Sequence, residues 1–197
     1  MTLRSGMSDV VTELRTLCEA GTADYSLGAI AFWTDDQLQN VLDKHAVELD
    51  WEPMHLVPER TAGKWMYKEY YIRHQYLEQT SGGTAVFQVM DNNGTNIGTA
   101  LYTVDYNVGE VSFIADQGSG IPYYVSGTSY DMEASAAEVW HKKMTHYASA
   151  YDFSTDNHNV RREQLFTHAK EMAEYYEGRS GEGASNLSLE RPDDTCY

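Results

Sequence analysis

Basic residues are scarce in this chain. Its 197 residues hold 14 Lys and Arg against 30 Asp and Glu, a formal charge of −16 at pH 7. The imbalance is spread: residues 1–60 hold 11 acids and 4 bases, 61–128 hold 6 and 3, 129–178 hold 9 and 5, and 179–197 hold 4 and 2. Such a surface repels nucleic-acid phosphates, and no basic stripe exists to release their counterions, so tight DNA binding is disfavoured. A wall that DNA slides past without sticking, adaptation to high salt and plain solubility all fit the same charge. Cysteine is scarce as well. Cys18 and Cys196 sit near opposite ends without metal-type spacing, which suits a reduced setting, cytosolic or inside an assembled particle. Long apolar runs are missing: Gly28 to Trp33 falls far short of the roughly 20 residues a membrane helix needs. The first ten residues, MTLRSGMSDV, contain no hydrophobic signal region, so neither membrane nor secretory pathway is expected.

Recognisable catalytic and ligand motifs are also missing. Gly118 and Gly120 have no Lys-Ser/Thr pair downstream and no helix to open, so they do not form a phosphate cradle. Asp91 to Asn96 (DNNGTN) resembles the start of a calcium loop, but the position that needs a bidentate Glu is Tyr102 and strands flank it; a hairpin turn explains the same residues. His141 and His146 are five apart, off the i,i+4 register of paired metal ligands, and read as surface groups. Glu133, Glu138, Asp152 and Asp156 read as caps and a solvated helix face rather than an acid–base pair. Cys18 sits on an apolar stripe and reads as a small buried hydrophobe, not a nucleophile. No catalytic residue, cofactor or metal is expected.

What the chain does contain is helical and β patterning in blocks. Residues 7–20 carry Val10, Val11, Leu14, Leu17 and Cys18 on one helical side, stopped by Gly21. TADYSLGAIAFW reads as a linker that packs partly on the core. Thr34 and Gln37 make a T-x-x-Q capping box before DDQLQNVLDKHAVELD, with Leu38, Val41, Leu42 and Leu49 as the stripe and Trp51-Glu52-Pro53 as the stop. From about Pro58 the pattern becomes β, with Tyr67, Tyr70, Tyr71, Ile72 and Tyr76, then AVFQVM, Ile97 to Tyr106, Glu110 to Ile114 and IPYYVSGTSY, punctuated by Asn93-Gly94 and Val108-Gly109. Many of the fifteen tyrosines crowd this region, as half-buried sheet residues, as an interface, or both.

Residues 129–178 predict two amphipathic helices joined by an acidic turn. Ala136, Val139, Trp140, Met144, Tyr147, Ala148 and Tyr151 stripe the first, with Glu138 and Lys142 an i,i+4 pair opposite; Leu165, Ala169, Met172, Ala173 and Tyr176 stripe the second. Asp131 suits the first N-cap, Asn159 or a neighbour the second, and Gly178 the final C-cap. A short connection makes the two antiparallel neighbours. The expected fold is α+β: a helical bundle from residues 1–57 and 131–178, a β insertion at 58–130 forming an antiparallel sheet or small barrel, and an extended or disordered tail at 179–197. Leu187 and Leu189 are the tail's only sizeable aliphatic anchors.

The order of these C-terminal motifs resembles the head–tail connector (adaptor) proteins of tailed double-stranded DNA phages. Asp131, Ala134, Ala136, Ala137 and Trp140 match that group's D-x-x-x-A-A-A-x-x-W helix; Tyr151, Asp152, Phe153, Ser154 and Asp156 match its Y-D-F-S-x-D turn. Arg162, Gln164 and Leu165 match its second helix, where Glu163 replaces the usual Ser. The match covers about 50 residues and hardly touches the β insertion. It implies a non-enzymatic structural protein of the virion neck, assembled in the host cytoplasm into a ring, commonly of twelve subunits. Such a ring would sit under the portal protein, bind a downstream neck or tail protein and let DNA through without specific binding. It also implies that the tail docks into the portal, with Leu187, Leu189 and Tyr197 as contacts. Two other readings fit the residues: another neck or tail completion protein, and a ligand- or carbohydrate-binding β module on a helical stalk.

Overall fold

The computed structural model describes residues 3–21, 24–27, 30–81, 84–118, 120–148, 153–155, 158–160 and 162–180. Among them are α1 (Ser8–Leu17), β1 (Ser26–Leu27), β2 (Ile30–Ala31), α2 (Asp35–Lys44), β3 (Ala46–Pro53), β4 (His55–Thr61) and β5 (Lys64–Tyr71). Then come β6 (Thr80–Ser81), β7 (Thr84–Ala85), β8 (Gln88–Met90), β9 (Tyr102–Asp105), β10 (Glu110–Phe113) and β11 (Tyr124–Tyr130). The chain continues with α3 (Met132–Ala148), β12 (Phe153–Thr155), β13 (His158–Val160) and α4 (Arg162–Glu177). The molecule is an α+β protein in which two helices from each end of the chain flank a block of antiparallel strands.

The helices start where side chains satisfy their first backbone donors. Thr34 and Gln37 form the expected capping box at α2, and Asp131 Oδ1 accepts from the Ala134 amide at 2.9 Å to cap α3. α3 and α4 run antiparallel: Arg179 near the end of α4 pairs with Glu133 at the start of α3 at 3.3 Å. Val10, Val11 and Leu14 of α1, Leu38, Val41 and Leu42 of α2, Ala136, Val139 and Trp140 of α3, and Ala169, Ala173 and Tyr176 of α4 close one core. Leu165 departs from the predicted stripe, being 42% exposed. The acidic turn between α3 and α4 contains a short hairpin, β12 with β13, rather than a plain loop.

The strands form two larger sheets, ordered β4-β5-β10-β9 and β3-β11-β8, every described pair being antiparallel. Both sheets feed a second core, with Leu49, Tyr70, Phe87, Val89, Val111, Phe113, Tyr123 and Val125. The expected turns hold it together. Gly94, at φ +81°, closes the turn after β8, and Asp105 Oδ1 accepts from Asn107 and Val108 amides between β9 and β10. Gly109, at φ +78°, lies so close to the His74 carbonyl that a β carbon would sit 2.3 Å from its oxygen.

Two boundaries differ from the sequence reading. The helix predicted through Asp50 ends at Lys44, and the strands of the two larger sheets begin at Ala46 rather than near residue 58. Leu49 fits the helical stripe by spacing, yet β3 pairs with β11 and carries Leu49 into the second core, so distant pairing overrides local pattern. Two residues expected to belong to the tail, Arg179 and Ser180, are part of the folded body, and residues 181–197 lie outside the described residues. Arg179 pairs with Glu133, and Ser180 is buried with its amide bonded to the Tyr176 carbonyl, so both finish the α4 hairpin.

Candidate functional site

Several residues considered for chemistry make contacts within the fold. Cys18 is buried, and burial pushes its thiol up to about 12, Lys143 opposing only in part, so a thiolate is suppressed at neutral pH. His141 faces Glu177 at 3.6 Å and is a surface group as expected. His146 is more enclosed than expected, its ring stacked on Tyr25 with centroids 3.7 Å apart. Glu138 binds Lys142, Lys44 and His45, so it is a junction between α2 and α3 rather than part of a solvated face. Asp91 Oδ1 accepts from the Asn93 and Thr95 amides at 2.8 Å each, which lowers its pKa and ties it to the hairpin turn. The loop with Gly118 and Gly120 leads into a strand. Among the described residues, no group of three or more His, Cys, Asp or Glu is placed to hold a metal, and no helix is long and apolar enough to cross a membrane. Leu187, Leu189 and Tyr197 lie outside the described residues, as do Asp152 and Asp156.

Two buried polar clusters escaped the sequence reading. Lys143, only 2% exposed, donates from Nζ to the Cys18 carbonyl at 2.8 Å and the Glu19 carbonyl at 3.2 Å, and pairs with Asp24 at 2.6 Å. Trp140 Nε1 and the Tyr176 hydroxyl both donate to the Leu17 carbonyl. Together they satisfy the carbonyls at the end of α1, where the helix dipole favours a cation. The signal was present, since Lys143 follows Trp140 by three residues and so lies on the apolar face. The second cluster centres on Arg4. Its guanidinium forms a fork with Asp43 and also donates to buried Glu78 and to Tyr130, whose hydroxyl donates to Glu78. The Arg4 amide reaches buried Gln39. This cluster joins the N-terminal segment, α2 and the strand leading into α3.

The exposed apolar groups gather on the β body. Ile97, Leu101, Phe113, Ile114 and Tyr123 line an open cavity of about 340 Å³, with Leu101 and Ile114 largely exposed at its rim. Trp51, half exposed at a β-bulge with φ +57°, stacks on Tyr124 with centroids 4.8 Å apart. The tyrosines divide: Tyr70, Tyr102 and Tyr123 are buried in the core, whereas Tyr67, Tyr71 and Tyr124 are partly accessible. The hairpin of β4 and β5 carries Val57 and Trp65 outward, 44% and 55% exposed. Together these side chains make exposed apolar patches on the β body. No protein-family model matches this chain, and no curated protein matches it.

Proposed function

We propose that this chain is a structural subunit of a virion neck, assembling into a ring that joins portal to tail around the DNA path. The observation that carries the reading is how the connector-like motif is used. Asp131 caps α3, Ala134, Ala136 and Ala137 are buried, and Trp140 anchors the end of α1, so the motif builds the helical body. Gln164 and Leu165, by contrast, are exposed on α4 and join neither core among the described residues, so a neighbouring subunit would give them a packing role. The acidic surface suits a conduit whose wall must not hold phosphate.

In this reading residues 181–197 dock into the portal through Leu187, Leu189 and Tyr197. Deleting them leaves thermal melting unchanged and abolishes co-sedimentation with the portal protein encoded in the same genome; unchanged co-sedimentation contradicts the docking role. The apolar cavity beside Leu101 and the Trp51–Tyr124 stack favour a second reading, a carbohydrate-binding β module. Glycan-array binding that is lost in Trp51→Ala would support that reading over the ring.

A further inference from the structure

The β4–β5 hairpin leaves the body as a ribbon that covers no core. Its base belongs to the second core through Leu56 and Tyr70, but every residue from Val57 to Trp65 is exposed. A two-stranded ribbon without a packed face is marginal on its own, yet the geometry of this one is defined. Ala62 and Gly63 both take positive φ, +51° and +81°, as a tight two-residue hairpin turn requires, although Ala is costly at such a position. Across the strands Arg60 pairs with Trp65 and lies over its indole at 5.9 Å. The outer strand β4 carries Pro58 and an irregular register between Val57 and Glu59, which blunts it against strand addition. What the ribbon offers a partner is therefore its tip side chains.

The charge of that tip runs against the rest of the molecule. Residues 58–68 hold Arg60, Lys64 and Lys68 against Glu59 alone, in a chain of formal charge −16. None of the three cations forms an ion pair among the described residues. A cationic tip bearing an exposed Trp and Val fits an acidic protein surface, and a second copy of this chain supplies one. Three cations beside a Glu are few for a phosphate backbone, and the apolar tip groups suit a protein better than DNA. We infer that the β4–β5 hairpin is an intersubunit arm whose Arg60, Lys64 and Trp65 tip docks on the acidic surface of a second copy. In the ring reading the arm of one copy meets a different patch of the next, a head-to-tail contact that forms a ring when its rotation closes. The inference rests on the ring reading and names its subunit contact.

The test uses the full chain, alone and with portal, followed by sedimentation velocity and mass photometry. Two variants are compared with wild type: Arg60→Glu combined with Lys64→Glu, and Trp65→Ser. Both are expected to melt like wild type, because the tip touches no core, and to need roughly tenfold or more higher concentration to assemble, as loss of an interface hot spot does. Variants that assemble at wild-type concentrations overturn the arm and leave the ring standing. Wild type that stays monomeric in both settings overturns the ring and the arm with it. Variants that keep self-assembly but lose retention of double-stranded DNA on a filter overturn the proposal in favour of a DNA contact. A variant that melts markedly lower overturns the claim that the tip is independent of the core.

Discussion

At the scale of single residues, Glu138 shows how much a surface carboxylate can be drawn into the fold. Partial burial pushes its pKa up, but hydrogen bonds from Lys142 and Lys44 outweigh that and hold it at about 2, with His45 adding to the effect. Its folded pKa is below the unfolded value of 4.5, so its contribution is present above 4.5 and is lost as pH falls towards about 2. Glu138→Gln is expected to be less stable than wild type at pH 7 by about 0.5–1 kcal/mol, a figure kept small by solvent screening. Urea titrations across pH should show that gap narrowing on acidification through this window; a gap independent of pH contradicts the assignment. The Lys142 half of this cluster was legible as an i,i+4 pair. Lys44 and His45 were not, because they arrive from more than ninety residues away. The same limit hid the ties of Arg4 to Glu78 and Tyr130, whereas the apolar stripe alone was enough to place Cys18 inside.

At the scale of elements, the end of α1 is the joint between the two ends of the chain. No glycine caps it; Glu19 takes the left-handed position at φ +49°, and the orphan carbonyls are met by Trp140, Lys143 and Tyr176. Lys143→Ala strands buried Cys18 and Glu19 carbonyls and leaves Asp24 without its cation, so urea unfolding should show a loss of about 3 kcal/mol. Lys142→Ala, one residue away and 44% exposed in its side chain, should lose less than about 1 kcal/mol. Equal losses at the two positions would refute the joint. The helices were legible because their apolar positions repeat at three and four and their caps are local. Strand β3 was not: Ala46 to Pro53 continues the helical spacing of α2 well enough to mislead, and only its pairing with Tyr124 to Tyr130 settles its form. The aromatic β stretches, by contrast, were readable from alternation and turn residues. The candidate contact surfaces were visible in the sequence only as an excess of tyrosine, which did not distinguish buried Tyr70 and Tyr123 from partly accessible Tyr67 and Tyr124.

At the scale of the molecule, helical and β cores are built by interleaved parts of one chain, with the first and last segments sharing the helical body. That arrangement leaves the β4–β5 arm, the cavity rim at Leu101 and Ile114, and exposed Leu165 facing outward. The ring proposed above would give all three a place, the arm reaching one neighbour and the remaining surfaces meeting another subunit or a layer above or below. The most direct measurement is electron microscopy of the purified 197-residue chain, alone and mixed with the portal protein of the same genome. The account predicts closed rings of identical subunits with an open centre, seated on the portal's tail-facing end. Particles that remain single subunits in both samples, with portal rings left bare, would contradict it.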